Sequence, residues 1–281
     1  MRNLLVPTDY SANAHNAFVY ALGIASKLNA DITAIHTFEL PVLDPRAPSR
    51  TAKAIVDNEK EEQLYQKNKE LAKMHQAATE MGLLGQPLDL LLSEGDLVDK
   101  ICEAAHETHT DMVIMGTKGA SGLKEVFFGS NAAKMLEQAT CPVLAVPENA
   151  TFKGINKIAY FSNFDESDIE ILARLAELVA PFNSEIHLVH IVLSEKARTI
   201  ATNNLRTLAE ELKSLTNLSV YSQTLLNSDL LEGMLSYAAL AEIDIISMLS
   251  HKRGFFDKLF TSSNTQKTVQ HTEVPLLSFR K

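Results

Sequence analysis

The chain contains 281 residues, of which 46% are hydrophobic and 22% are charged, and its formal net charge at pH 7 is −9. This is the composition of an ordinary globular protein, and the acidic balance argues against nucleic acid as the main partner, because binding a phosphate backbone needs a basic face. The two cysteines, Cys102 and Cys141, match neither a metal spacing nor a disulfide framework, so we expect a reducing, cytoplasmic location. No apolar run approaches the roughly 20 residues of a membrane span, so we expect no membrane partner.

The first half of the chain alternates short apolar runs with helical patterns. Five strands are predicted, in chain order, at Asn3–Thr8, Asp31–Phe38, Pro87–Leu92, Met112–Gly116 and Pro142–Val146. Four helices are predicted between them, at Ser11–Leu28, Ala52–Met81, Leu97–Thr108 and Ser130–Gln138. Continuous Val, Ile and Leu runs separated by helices indicate strands buried on both faces, and hence a parallel sheet. This half is therefore predicted to be a doubly wound α/β unit, in which ligands bind beyond the carboxyl ends of the strands.

A glycine pattern follows the fourth predicted strand. Gly116 and Gly119 are followed, after nine residues, by Gly129-Ser130, and Asn131 comes next. Glycine allows backbone N–H groups to approach a ligand closely, and N–H groups at a helix start are directed at an anion. The string predicts a phosphate-binding site, with a tight turn that holds no ligand as the alternative. Lys118 lies inside the loop, where it would either neutralise phosphate charge or lie on the surface.

The second half of the chain repeats the first in degenerate form. Residues 4–9 align with residues 158–163 at an offset of 154, whereas residues 111–115 align with residues 244–248 at an offset of 133. The first half therefore carries about 21 additional residues, and its prolines favour a longer loop within residues 39–58. A period of about 140 residues indicates a duplicated domain.

The domain boundary is predicted where Pro, Asn, Thr and Gly cluster, between residues 147 and 154. We expect the domains to span residues 1–148 and 152–281. At the end of the second strand of each half, His36 and His190 occupy equivalent positions. They are predicted to be packed or hydrogen-bonded and not catalytic.

On these residues, the chain resembles the universal stress protein family in its tandem two-domain form. The opening run from Leu4 to Ser11 and the closing run from Thr140 to Pro147 look like the family's first and last strands. The glycine string matches the family's ATP-binding signature at each defined position. The resemblance implies a Rossmann-like fold of the adenine nucleotide alpha hydrolase type, with two five-stranded parallel sheets of strand order 3-2-1-4-5. It also implies ATP, with or without Mg, between strands one and four, and an intramolecular pseudo-dimer joined through the fifth strands, while a further homodimer is left open.

The resemblance also implies a set of ligand contacts. Asp9 would meet the adenine or the ribose, and Ile35 would contact adenine through its backbone. The glycines would let the chain approach the ribose and phosphates, and the start of the fourth helix would hold the phosphates. The implied site as a whole comprises Pro7, Thr8, Asp9, Ile35, Met115, Gly116, Lys118, Gly119, Gly129, Ser130 and Asn131. For Asp9 the alternative is a role in capping the following helix, which Ser11 could fill alone.

The second half departs from the family pattern at these positions. Gly116, Gly119, Gly129 and Asp9 correspond to Leu249, Lys252, Ser262 and Asn163. Because a leucine fills the space that close approach needs, the second half is predicted to bind no nucleotide. The alternative is that His251, Lys252 and Arg253 bind a different anion.

The sequence contains no Walker loop and no nucleophile elbow, and neither a catalytic base nor a metal cluster is evident. We therefore expect an ATP-binding protein with a regulatory or stress-response role, which carries one nucleotide per chain. The alternatives are a nucleotide-free interaction scaffold and a weak ATPase.

Overall fold

The computed structural model describes residues 3–44, 46, 48–119, 129–250 and 273–280. The strands of the first half are β1 (Asn3–Pro7), β2 (Asp31–Phe38), β3 (Leu88–Glu94), β4 (Met112–Gly116) and β5 (Val143–Val146). Its helices are α1 (Ala12–Leu28), α2 (Ser49–Glu80), α3 (Leu97–Glu107) and α4 (Ser130–Gln138). The strands of the second half are β6 (Lys157–Phe161), β7 (Glu185–Val192), β8 (Val220–Leu226), β9 (Ile245–Ser250) and β10 (Leu276–Arg280). Its helices are α5 (Asp168–Val179), followed by a short 3-10 turn, α6 (Glu195–Leu215) and α7 (Leu230–Ala241).

The described strands form one ten-stranded sheet in the order β3-β2-β1-β4-β5-β10-β9-β6-β7-β8. Each half therefore has the predicted order 3-2-1-4-5, and neighbouring strands within a half run parallel. The halves meet through β5 and β10, which pair antiparallel with Leu144 opposite Leu277. The two predicted five-stranded sheets are thus joined edge to edge, and this pairing removes two exposed strand edges.

Both faces of the sheet are buried, as the continuous apolar runs predict. Side chains alternate along β1, so that Leu4 and Val6 join the core cluster that contains Phe18 of α1. Leu5 joins the cluster on the opposite face, which includes Ile101 of α3. Burying a leucine side chain stabilises the fold by about 1.5–3 kcal/mol, so this alternation holds helices on both faces. In the part of the chain that the structure describes, no helix has the length and apolarity needed to cross a membrane.

The additional residues of the first half lie between β2 and β3, but only part of them form a loop. The connection from β2 to α2 covers residues 39–48, against residues 193–194 in the second half. Most of the rest lengthen the helix, since α2 has 32 residues and α6 has 21. The longer loop that the sequence places within residues 39–58 ends at Pro48, and the residues that follow it belong to the helix.

The linker between the halves is attached to α1. The side-chain amide of Asn16 donates to the carbonyl oxygens of Pro147, Glu148 and Ala150, at 3.1, 3.3 and 2.9 Å. Further along α1, the ring of Phe152 lies against Gly23, where a Cβ atom would overlap it. The linker thus packs on the first half before the chain enters β6.

Candidate functional site

The candidate site lies at the carboxyl ends of β1 and β4, which are neighbours in the sheet. From β1 the strand order continues to β2 on one side, and from β4 it continues to β5 on the other. This is a topological switch point, where the connections diverge and leave a crevice. The loop after β1 and the loop after β4 face each other across it.

Hydrogen bonds fix the loop after β1. The Thr8 N–H donates to the Ile35 carbonyl at 2.8 Å, and the Thr8 hydroxyl accepts from the Tyr10 N–H at 3.1 Å. Asp9 Oδ1 accepts from the Ser11 N–H at 3.1 Å, and Tyr10 adopts a left-handed conformation with φ of 64°. The hydroxyl of Ser11 accepts from the Ala14 N–H at 3.2 Å and caps α1. The cap is thus made by Ser11, and Asp9 forms the turn that precedes it.

The glycines after β4 allow three chain segments to approach one another. A Cβ atom at Gly119 would lie 2.9 Å from Asp9 Oδ2, so Asp9 sits directly against this loop. A Cβ atom at Gly116 would lie 3.2 Å from the Asn13 carbonyl oxygen and 3.3 Å from Asn13 Cγ. The resemblance implies that Gly116 lets the chain approach a ligand, and in the structure this glycine also makes room for the first turn of α1.

The start of α4 completes the edge of the site. Gly129 donates its N–H to the Thr117 carbonyl at 2.7 Å and takes an extended N-cap conformation, and in the described part of the chain no side chain caps the helix. The first-turn N–H groups of a helix have no partner within it and carry partial positive charge. The Gly129 N–H is already bonded, whereas Ser130 and Asn131, the first two residues of α4, are exposed. The intervening loop, with Gly122 and Phe127-Phe128, lies outside the described residues.

His36 supports this edge of the sheet. Its Nδ1 lies 2.8 Å from the Thr8 carbonyl oxygen, to which it donates, and its ring stacks on Tyr10 with centroids 4.1 Å apart. The second half repeats this arrangement, with His190 Nδ1 2.7 Å from the Ser162 carbonyl oxygen and its ring 4.2 Å from Phe164. The prediction that both histidines are packed and hydrogen-bonded is confirmed.

Burial of Tyr10 raises the pKa of its phenol to about 12, and the carboxylate of Glu70 contributes to the shift. Tyr10 therefore remains a neutral, protonated ring at physiological pH. The Tyr10 ring and the His36 ring stacked on it form an aromatic pair next to Asp9 in the chain.

Four of the predicted site residues are buried below the crevice: Pro7, Thr8, Ile35 and Met115. Ile35 is 1% exposed and its carbonyl accepts from Thr8, so its backbone is committed to the sheet. Successive residues of a strand direct their backbone groups to opposite neighbouring strands. The backbone groups of Thr37 therefore face the same side as those of Ile35, but beyond the end of β1. The predicted residues that reach the crevice are Asp9, Gly116, Lys118, Gly119, Gly129, Ser130 and Asn131.

Sequence reasoning missed two residues here. Thr37 could have been found from Ile35, because residues two positions apart in a strand face the same neighbouring strand. This inference needs the end of β1, which lies opposite Ile35. Asn13 is a polar residue on the otherwise apolar face of α1, and it is 7% exposed. Its isolation on that face is the one signal that could have identified it. Among the described residues, no group of three or more His, Cys, Asp or Glu side chains is placed to hold a metal ion.

The equivalent edge of the second half has a different shape. Leu249, the counterpart of Gly116, is 5% exposed and packs in the core. Helix α5 begins at Asp168, two residues after Glu166, the counterpart of the first residue of α1. The carboxylate of Asp168 is buried here and accepts from two hydroxyls. His251, Lys252 and Arg253 lie outside the described residues, as do Ser262, Ser263 and Asn264.

Comparisons with known proteins agree with this architecture. The model of the universal stress protein family matches residues 1–147 and 156–280. A universal stress protein of Synechocystis sp. (strain ATCC 27184 / PCC 6803 / Kazusa) is 24% identical over 297 residues and covers the whole of both chains. A universal stress protein of Thermus aquaticus is 30% identical over 146 residues, which cover 52% of this chain and 98% of the relative. The crystal structure of a universal stress protein from Archaeoglobus fulgidus DSM 4304 has a TM-score of 0.71 at 19% identity, covering 99% of this chain and 98% of that one, and shows a shared fold.

Proposed function

Because the chain belongs to the universal stress protein family, we propose that it is an ATP-binding stress-response protein of the cytoplasm. One adenine nucleotide binds between β1 and β4 of the first domain, residues 1–148, and none binds to the second, residues 152–281. The observation that carries the proposal is that three chain segments meet at the carboxyl ends of β1 and β4. They are the loop after β1, the loop after β4 and the start of α4. Asp9 Oδ2 lies 2.9 Å from where a Gly119 Cβ would be, and the Gly129 N–H bonds to Thr117 at 2.7 Å.

Each segment suits a different part of the nucleotide. The Asp9 carboxylate accepts hydrogen bonds, as the ribose hydroxyls or the adenine amine require. Thr37, and not Ile35, presents backbone groups to the adenine edge. The N–H groups of Gly119, Ser130 and Asn131 bind the phosphates, which the start of α4 also attracts by its partial charge. A Mg ion would be held chiefly by the phosphate oxygens and water, since Mg keeps several waters at such sites.

We propose binding without turnover as the function of this site. His36, at the end of the neighbouring strand β2, has its Nδ1 committed to the Thr8 carbonyl and its ring covered by Tyr10. Backbone N–H groups hold phosphate charge, but they do not activate a water. The protein would therefore respond to the bound nucleotide by shape and not by chemistry.

The test is mass spectrometry of the small molecules that denaturation releases from the purified protein. We expect an adenine nucleotide in near-equal amount to the chain. Protein that releases none, and that takes up no added ATP, would support the interaction scaffold. Release of inorganic phosphate from added ATP above the buffer rate would support the weak ATPase.

A further inference from the structure

Asn13 lies in the first turn of α1 and bridges to the glycine loop. Its side-chain Nδ2 donates to the Lys118 carbonyl oxygen at 2.8 Å, a contact between residues 105 positions apart in the chain. Gly116 leaves room for the Asn13 side chain, because a Cβ at this position would lie 3.3 Å from Asn13 Cγ. Asn13 is 7% exposed, so the amide bonds to the loop away from water.

This hydrogen bond sets the direction of the next backbone N–H group. The peptide bond between Lys118 and Gly119 is planar and trans, so its C=O and N–H point in opposite directions. Because the carbonyl points toward α1, the Gly119 N–H points away from the helix. Gly119 is exposed at the crevice, so its N–H faces the space assigned to the phosphates.

The other end of the amide indicates that this bond has a purpose beyond packing. Asn13 Oδ1 is buried and has no hydrogen-bond partner among the described residues. A buried acceptor without a partner destabilises a fold, and an apolar side chain of the same shape would avoid that cost. The residue is therefore better explained by what its donor does at Lys118.

The second half supplies an internal comparison. There the counterpart of Asn13 is Ser167, and the counterpart of Gly116 is Leu249. Ser167 makes no side-chain cap hydrogen bond within the described structure. The half that lacks the glycine pattern therefore also lacks the amide.

We propose that Asn13 is a positioning residue for the nucleotide: by holding the Lys118 carbonyl, it directs the Gly119 N–H at a phosphate oxygen. The proposal rests on the proposed function, because it assumes a phosphate-bearing ligand in this crevice. The proposal distinguishes ATP from adenosine as ligands, since adenosine lacks the phosphates and would not use the Gly119 N–H.

The test compares the affinities for ATP and for adenosine in the full chain and in Asn13→Leu, which keeps the approximate shape but removes the donor. We expect ATP affinity to fall by about ten- to a hundredfold, as for one hydrogen bond to a charged group, while adenosine affinity stays unchanged. Asn16→Leu is the matched control, because Asn16 makes the same kind of bond to the linker from the next turn of α1. It should leave the ratio of the two affinities as it is.

The outcomes separate the two proposals. Failure of the unaltered chain to bind ATP would overturn both, whereas ATP binding that Asn13→Leu leaves intact would overturn only the role of Asn13. Equal losses for ATP and adenosine would show a merely structural side chain and would also overturn it. If Asn13→Leu does not fold, the amide resonance of Gly119 can be followed by NMR in the unaltered chain labelled with 15N-glycine. The chain contains 11 glycines. ATP should shift the Gly119 amide resonance and adenosine should not, and an unmoved Gly119 resonance would refute the proposal.

Discussion

Asp9 brings two loops of the site into contact through a single carboxylate. One oxygen accepts from the Ser11 N–H, and the other lies against Gly119. The first oxygen maintains the turn before α1, and the second is at the crevice. These two roles are separable, because an amide oxygen also accepts from Ser11.

The Asp9→Asn substitution copies the residue of the second half, Asn163, and tests that separation. We expect ATP affinity to fall by roughly tenfold, because a charge-assisted hydrogen bond becomes a neutral one. The melting temperature should stay nearly constant, since the bond from Ser11 is preserved. Calorimetric titration and thermal unfolding measure the two effects, and an unchanged affinity would place Asp9 outside the nucleotide site.

His187 of the second half makes stability depend on pH. Its Nδ1 lies 2.8 Å from the Tyr237 hydroxyl, its Nε2 lies 3.5 Å from Glu185, and the ring of Tyr221 packs beside it. Burial lowers the pKa of His187 below its ordinary value, and the positive charge of Lys157 contributes, although Glu185 opposes the shift. The folded protein therefore resists protonating this ring.

We expect the free energy of unfolding to fall as the pH drops below about 6.5, because the unfolded chain then binds a proton that the folded chain does not. The loss ends once the pH is below the lowered pKa of the folded state. Urea titrations at pH 7.5 and 5.5 should show a smaller change for His187→Thr, which copies Thr33 of the first half. An equal change in both proteins would contradict this account of His187.

At the scale of the element, α1 links the site to the rest of the molecule. Its first turn holds the glycine loop through Asn13, its second holds the linker through Asn16, and Gly23 receives the ring of Phe152. The ring also meets Tyr20 edge-on, with centroids 5.0 Å apart. One helix thus contacts both the glycine loop and, at two points, the linker between the halves.

Gly23→Ala tests the contact between α1 and the linker. Within a helix this change ordinarily stabilises by about 1 kcal/mol, but here the new methyl group would overlap the Phe152 ring. We expect a loss of about 1–3 kcal/mol, as for overpacking, measured by urea unfolding. In a Phe152→Ala background the same change should become neutral or stabilising. A stabilising effect in the unaltered chain would show that the ring does not occupy this position.

The elements that sequence reasoning located best are those whose periodicity is strong. Strands β2 and β4 and helix α4 have the predicted bounds. An uninterrupted apolar run marks β4, and Gly129 marks the start of α4. The start of α2 was placed three residues late, at Ala52 instead of Ser49, because the helix there is polar and its prolines suggested a longer loop. Gly119, which a local motif predicts, is exposed at the crevice. The positions of Asn13 and Thr37 there could not be predicted, because they depend on contacts between distant segments.

At the scale of the whole molecule, one continuous sheet joins two domains of which only one keeps the glycine pattern. The antiparallel pairing of β5 with β10 aligns Val143 with Ser278 and Ala145 with Leu276. These residues are buried in the joined sheet. Each domain therefore completes the other's edge, even if one of them holds no ligand.

Separating the domains should expose both edges. We expect a chain of residues 1–148 to self-associate, because an uncovered apolar strand edge pairs with another chain. Light scattering after gel filtration, at micromolar concentration, checks this against the full chain. A stable monomer of the fragment would contradict the structural role assigned to the β5–β10 pairing.

The central claim, one nucleotide site per chain within the first domain, is tested most directly by calorimetric titration of the nucleotide-free full chain with ATP. We expect a single class of sites with a stoichiometry of one, since Leu249 and Asn163 stand where the first domain has Gly116 and Asp9. A stoichiometry of two, or no binding at saturating ATP, would contradict it.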